Sequence, residues 1–294
     1  PKGSFYWEWL KEYSDNKFQW ITCNLYKEPQ KMKALIKDIS PTHIIDFMGQ
    51  GMVSQSWEDP RLWFQTNISE KSFLLEEIRK INNLKKYIRI STPEVYGSSF
   101  NPLDESANFN PSTPYAISHA AIDQYIRCIG KNYNFPYLIG RFGNFYGPGQ
   151  QLYRVIPKAI ISIYKKINFT LDGGGKSKRS FIYSSDFVCA LEKCLFTEDV
   201  YGEFNFNSNE EVSIKQLLKM ICKMNYVDFE EFVKLGPERP GKDLYYRMNC
   251  NKSEQILNWT TQTTLEEGLT IVSNWIKKNY SELSKEDLMY IHKE

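Results

Sequence analysis

Apolar positions along this chain fall into two alternating periods. In "KMKALIKDI", Met32, Leu35, Ile36 and Ile39 stand at i, i+3, i+4 and i+7, the stripe of an amphipathic helix. Tyr6, Trp9, Leu10 and Tyr13 show the same spacing near the start. So do Leu74, Ile78 and Ile81 within a helix expected over 66–81, and a further helix is expected over 115–134. Between these lie short apolar runs of strand type: "FQWITCNL", "HIIDF", "KYIRIST" ending at Thr92, and "YLIGRF". "HIIDF" reads as a buried strand running into the loop "MGQG".

Strands alternating with helices predict an α/β fold, a doubly wound parallel sheet of Rossmann-like type covered on both faces. Ligands bind such sheets outside the carboxyl ends of the strands. The loops "MGQG", "STPE" and "GNFYG" all fall at such ends and share one rim. The pattern changes near residue 150. "RVIPKAIISIYKKI" reads as a helix, and "FTLDGGGKSKRSFI" as a glycine turn joining two short strands. Asp186 is placed to cap a helix with core positions Phe187, Ala190, Leu191 and Cys194. Ser213 with Gln216, and Thr264 with Glu267, are capping boxes opening two more helices. This divides the chain into a sheet domain, 1–150, and a smaller mixed α/β lobe, 151–294, with some segments returning to the sheet. No strand, glycine-rich turn and helix of the pyrophosphate-binding kind precedes the first expected strand. The "GGGKS" run at 173–177 lacks phosphate-loop spacing. The chain begins at Pro1 rather than Met, so upstream residues are expected to exist.

Composition narrows the class. Of 294 residues, 41% are hydrophobic and 24% charged, as in an ordinary globular protein. The formal charge of +2 gives no reason to expect nucleic acid or a membrane surface as partner. There is no long apolar run or signal peptide. The six cysteines form no CxxC pair and the three histidines are scattered, so neither a metal site nor a disulfide framework is expected. A reducing cytoplasm fits best.

"NPSTPYAISHAAIDQY" carries candidate chemistry. Tyr115 and His119 lie one turn apart on one helix face. A phenol with a pKa near ~10 is a poor base at neutral pH and needs a nearby positive charge. Lysine is the residue expected beside such a tyrosine, and histidine keeps a charge only below about pH 6.5.

"ISTPEVYGS", "PSTPYAISHAAID", "GRFGNFYGPGQ", "LDGGGKSKRSFIYSSD" and "ERPGKDLYYRMN", in this order, resemble the extended short-chain dehydrogenase/reductase family that remodels nucleotide sugars. Within it they are most similar to the sugar-nucleotide 4,6-dehydratases, of dTDP-glucose or GDP-mannose type. The resemblance runs from about residue 18 to residue 280. It implies a bound NAD and a nucleotide-diphosphate sugar as substrate. Tyr115 would then take the proton of the sugar's 4-hydroxyl, Thr92 would bond the 4-oxygen, and Glu94 would remove the C5 proton. His119 stands where the family has its lysine, with a role in holding the nicotinamide ribose and lending part of the charge. "DFMGQGMVSQSWEDP" and "FQTNISEKSFLL" resemble the segments after the family's fourth strand, which implies cofactor contacts at Met48, Gly49, Gln50 and Asn67 beside Tyr115 and His119. Asn144, Arg154, Arg179, Asn205, Arg239 and Asp243 match substrate-cleft positions, the arginines around the diphosphate.

Pro93 departs from the glucose-type pattern, in which an aspartic acid protonates the departing 6-hydroxyl. The resemblance therefore implies a 4,6-dehydratase, a lyase serving surface-polysaccharide synthesis. A 4-epimerase or a decarboxylase on the same scaffold is the alternative, and a noncatalytic nucleotide-sugar-binding relative is a rival of another class. Family members commonly form homodimers.

Overall fold

The computed structural model describes residues 18–238 and 243–290. The helix expected around Tyr6, Trp9, Leu10 and Tyr13 lies outside the described residues, and so does Arg239.

Helix α1 (Pro29–Ile39) leads into β1 (His43–Asp46). A helical run follows: α2 (Pro60–Phe64), a π-helical stretch over Gln65–Glu70, then α3 (Lys71–Ile78). Next come β2 (Lys86–Ser91), a 3₁₀ turn at Pro93–Tyr96, β3 (Ser99–Leu103), α4 (Pro114–Tyr133), β4 (Tyr137–Phe142) and β5 (Asn144–Tyr146). The second half runs α5 (Val155–Tyr164), β6 (Phe169–Asp172), β7 (Lys178–Tyr183), α6 (Ser184–Phe196), β8 (Gly202–Phe206), β9 (Glu211–Ser213) and α7 (Ile214–Met224). It ends with α8 (Phe229–Phe232), β10 (Val233–Gly236), β11 (Tyr246–Met248), α9 (Asn251–Leu257), α10 (Leu265–Lys278) and α11 (Tyr280–Leu283).

The main sheet is parallel, in the order β1-β2-β4-β8. β2 and β4 are buried nearly throughout, as central strands covered on both faces must be. One face carries Leu74, Leu75 and Ile78 of α3 with Ile122, Ile126 and Ile129 of α4. The other carries Phe187, Ala190 and Cys194 of α6, packed on Ile88, Leu138, Phe204 and Phe206. A separate core joins α5, α7 and α10 through Ile160, Leu217, Leu218 and Leu269. Both capping boxes form, at Ser213–Gln216 and Thr264–Glu267, and each such cap stabilises its helix by about 1 kcal/mol. β8 lies in the second half of the sequence yet pairs with β4, so residues 151–294 build both the smaller lobe and one edge of the main sheet.

Three expectations are corrected. "FQWITCNL" forms no strand: Phe18 and Trp20 are exposed and no described strand pairs with the segment. β1 is an edge strand rather than a buried one, with His43 and Ile45 exposed. Asp186 lies inside the first turn of α6 instead of capping it, and its carboxylate accepts the Thr263 N–H at 3.0 Å. The glycine turn at 173–175 does join two short strands, β6 and β7, and each pairs elsewhere: β6 with β10, and β7 with β5 and β9.

Candidate active site

The 3₁₀ turn after β2 places the first two side chains. Thr92 caps it, its hydroxyl accepting the Glu94 N–H at 3.3 Å, and Pro93 presets the first helical position. α4 begins in the same way. Thr113 accepts the Ala116 N–H at 3.1 Å, Pro114 follows, and Tyr115 stands in the first turn with its N–H on Ser56 Oγ at 3.2 Å. The two turns bring Thr92, Glu94 and Tyr115 together, with the Tyr115 phenol hydrogen-bonded to Thr92.

Electrostatics couple this trio. Burial pushes the Glu94 carboxyl up to about 7; Arg179, a hydrogen bond from Tyr246 and Arg154 oppose the rise, while Asp243 adds to it. Glu94 Oε2 is buried without a partner. Burial and the neighbouring Glu94 push the Tyr115 phenol up to about 12, against the Thr92 hydrogen bond, Arg154 and Arg89. The site thus holds a carboxyl that titrates near neutrality beside a tyrosine whose proton is held tightly.

His119 is buried, its ring centroid 4.5 Å from that of Tyr115. The expectation that it lends charge is corrected. Arg89 Nη2 stands 3.0 Å from His119 Nδ1, and a guanidinium only donates, so Nδ1 is the acceptor and bears no proton. Burial, Arg89 and Lys71 hold the imidazole well below its ordinary value, with Asp46 opposing. The ring is therefore neutral, with its proton on Nε2.

Behind His119 lies a buried charged cluster. Lys71 Nζ contacts Asp46 Oδ1 at 2.5 Å and Oδ2 at 2.6 Å, and the Tyr87 hydroxyl donates to the same carboxylate. Burial would raise the Asp46 carboxyl, but Lys71 and Arg89 hold it below its ordinary value. The cluster reaches the "MGQG" loop: the Met48 carbonyl accepts from Lys71 at 2.9 Å and from Arg89 at 3.3 Å.

That loop is held from its far side by Asn67. Its Oδ1 accepts the Gln50 N–H at 2.6 Å, and its Nδ2 donates to the Gln50 carbonyl at 3.1 Å and to Ser118 Oγ at 3.0 Å. Both amide donors are occupied, so Asn67 positions the loop rather than offering a donor to a cofactor. A Cβ on Gly49 would meet Asn67 Oδ1 at 2.9 Å, so the loop needs glycine there. Met48, Gly49 and Gln50 line a cavity of about 190 Å³ together with Asn24, Tyr26 and Thr66. Thr66 Oγ1 is buried without a partner.

The substrate-side residues divide. Arg154, at the start of α5, acts electrostatically on both Glu94 and Tyr115. Arg179 stacks on the Tyr246 ring, 3.9 Å from its centroid, and donates to the Asp243 carbonyl at 2.9 Å. Asp243 accepts the Ser112 hydroxyl at 2.8 Å. Asn144 is exposed at the start of β5. Asn205 is corrected: it is fully buried, accepts the Tyr96 hydroxyl, and donates to the carbonyls of Leu103 and Asn249, so it joins segments and does not line a cleft.

Sequence reasoning missed Tyr246, Arg89, Lys71 and Asp46. Tyr246 lies three residues past Asp243, within a segment already noted. Arg89 and Lys71 are charged residues within the apolar patterns of β2 and α3, and that misfit was the available signal.

The sequence model of the GDP-mannose 4,6 dehydratase family matches residues 3–272. A trifunctional UDP-glucose 4,6-dehydratase/UDP-4-keto-6-deoxy-D-glucose 3,5-epimerase/UDP-4-keto-L-rhamnose-reductase of Arabidopsis thaliana is 29% identical over 240 residues, 80% of this chain and 36% of its own length. The dTDP-D-glucose 4,6-dehydratase of Mus musculus is 35% identical over 206 residues, 67% of this chain and 57% of its own length. The chain thus spans less than two thirds of either relative. Among solved structures, the dTDP-glucose 4,6-dehydratase of Streptomyces venezuelae with NAD bound superimposes with a TM-score of 0.84 at 22% identity, covering 91% of this chain and 82% of that one, a likeness of fold.

Proposed function

The chain belongs to the GDP-mannose 4,6 dehydratase family, and on that premise we propose that it is an NAD-dependent nucleotide-sugar 4,6-dehydratase. The observation that carries the reading is Glu94, a carboxyl raised to about 7 with an unpartnered buried oxygen, beside Tyr115 and Thr92. C4 oxidation needs only a base at the 4-hydroxyl, whereas elimination across C5 and C6 needs a second one.

The residues present fit the nicotinamide-ribose end of the cofactor, whereas the sequence before β1 carries no glycine-rich turn for its pyrophosphate. The Met48–Gln50 loop and Thr66 line a cavity, and the neutral His119 has an Nε2–H donor suited to a ribose hydroxyl. NAD, when bound, would take the hydride from the sugar's C4 and return it to C6 after elimination, with a proton restored to C5, so that the net change is loss of water. Tyr115 takes the 4-hydroxyl proton as its phenolate, the form that Arg154 and Arg89 favour against burial, and Thr92 holds the 4-oxygen. Glu94, ionised above neutrality, takes the C5 proton, which the C4 ketone has made acidic. Pro93 has no proton to give. A carboxyl poised near pH 7 both takes and returns one, so Glu94 hands the proton to the departing 6-hydroxyl. Arg154 and Arg179 hold the diphosphate, with Asn144 and Asp243 nearer the sugar. A cytoplasmic homodimer and a product used in surface polysaccharide belong to the same proposal.

Incubation of the chain with NAD and a panel of nucleotide sugars, read by mass spectrometry, tests it. Loss of water is expected. Loss of carbon dioxide makes it a decarboxylase, C4 inversion without mass change an epimerase, and binding without turnover a noncatalytic relative.

A further inference from the structure

We propose that Arg89 is a positioning residue for Tyr115: its hydrogen bond to His119 fixes the ring as the neutral Nε2–H form, and its guanidinium stands as the permanent positive charge behind the Tyr115–His119 pair. The inference rests on the reading of Tyr115 as the C4 base.

The geometry first excludes the obvious alternative. His119 is buried between Tyr115 on one side and Arg89 on the other, with the 3.0 Å contact taken up by Nδ1. A second proton on the ring would face the guanidinium directly, with Lys71 behind it. His119 can therefore orient and donate, but it cannot be the charge.

Arg89 is 1% exposed and stands between two carboxylates without a hydrogen bond to either. Its Nη1 lies 3.9 Å from Asp46 and its Nε 3.9 Å from Asp123, both beyond hydrogen-bond range. Each carboxylate is committed elsewhere. Asp46 is held by Lys71, Tyr87 and the Met48 N–H, and Asp123 Oδ2 by Ser91 at 2.7 Å and Arg141 at 3.0 Å. Arg89 Nε and Asp123 Oδ1 both lack a hydrogen bond. Arg89 instead donates to two neutral acceptors, His119 Nδ1 and the Met48 carbonyl. One side chain thus ties the helix of Tyr115 to the loop at Met48.

The groups facing this pair are Asp46 from β1, Lys71 from α3, Tyr87 from β2, Asp123 from α4, Glu94 from the 3₁₀ turn and Arg154 from α5. Arg154 also favours the phenolate, and acts on Tyr115 more strongly than Arg89 does. In the proposed reading, however, Arg154 binds the substrate diphosphate, which neutralises it during the reaction. Arg89 stays charged whatever is bound, because a guanidinium keeps its proton throughout the working range.

The test uses the full chain with ¹⁵N-labelled histidine, whose three side chains are few enough to resolve, and His119→Gln to assign the signal. His119 is expected to hold its proton on Nε2 and to stay neutral at pH 6.5, where an ordinary histidine is half protonated. Arg89→Gln keeps a donor but removes the charge, so the His119 value should rise from that of the wild type, while burial and Lys71 still hold it below its ordinary value. In the same variant the ascending limb for C4 oxidation, which reports Tyr115 and not Glu94, should move up by about one unit. Arg89→Lys keeps the charge and should leave the limb in place. A wild-type His119 that titrates at its ordinary value, a proton on Nδ1, or the same limb shift in the Gln and Lys variants would overturn the proposal. If Arg89→Gln does not fold, the wild-type histidine spectrum alone decides. Absence of turnover with every nucleotide sugar would sink the dehydratase reading, while the histidine spectrum would still report the tautomer and charge of His119.

Discussion

The Tyr246 hydroxyl donates a hydrogen bond to the Glu94 carboxyl, across the contact between β11 and the 3₁₀ turn after β2. That bond favours the ionised form of Glu94, against burial. The carboxyl near pH 7 is therefore a balance set by two segments far apart in sequence.

Removing Tyr246's hydroxyl should tilt that balance. In Tyr246→Phe the Glu94 value rises above 7 by about half a unit to one unit. The rate of dehydration, followed against pH, should show its ascending inflection displaced upward by that amount. An unmoved inflection would mean that a group other than Glu94 limits elimination.

Glu94→Gln separates the two halves of the reaction. C4 oxidation should continue, so absorbance of the reduced nicotinamide builds up, while dehydration falls by about 10²-fold or more. Dehydration at the wild-type rate would remove Glu94 from the mechanism.

The same variant makes a stability prediction. Glu94's folded value lies above that of the unfolded carboxyl, so the folded state binds the proton more tightly. The ionised group costs stability above pH 7, and that cost fades as pH falls through about 7 towards the unfolded value. Glu94→Gln should therefore be more stable than wild type at pH 8, by about 3 kcal/mol, and equal to it near pH 4. Urea denaturation at both pH values measures this.

Lys71→Met takes from buried Asp46 its direct ion-pair partner, leaving only Arg89 at 3.9 Å, and should destabilise the chain by about 3 kcal/mol. Asp46→Asn combined with Lys71→Met should recover much of that loss. A double-mutant cycle in which the two changes simply add would show that the pair contributes no coupling.

Asn67→Ala removes both anchors of Gln50. The expected loss is about 1–3 kcal/mol of stability, from the backbone groups left unpaired, together with weaker NAD binding. Unchanged NAD affinity in a calorimetric titration would show that the loop is held by other means.

The sequence pattern made much of the fold legible. The stripes of α1 and α4 and the apolar runs of β2 and β4 encode their own geometry, because period and burial are local consequences of residue type. "FQWITCNL" misled because β propensity describes fitness for a pleated surface and supplies no neighbour to pair with. Thr92, Glu94 and Tyr115 were legible from their motifs, and the structure brings all three together. The environment of His119 was not, because Asp46, Lys71 and Arg89 come from three elements and meet only once the sheet is wound. A histidine's charge depends on what lies behind it, and the spacing to Tyr115 carries no such information. Asn205 likewise sits in a recognisable segment, yet only its three partners show that it faces inward.

The pairing of β8 with β4 also sets a timetable for synthesis. About 60 residues separate Phe142 from Gly202. At ~5–20 residues per second, a ribosome needs about 3–12 s to make them. Through that interval β4 has a bare hydrogen-bonding edge, with Leu138 and Phe142 awaiting the cover of Phe204 and Phe206. The nascent chain is most vulnerable to aggregation then, and a pause in translation between residues 142 and 202 would lengthen the exposure.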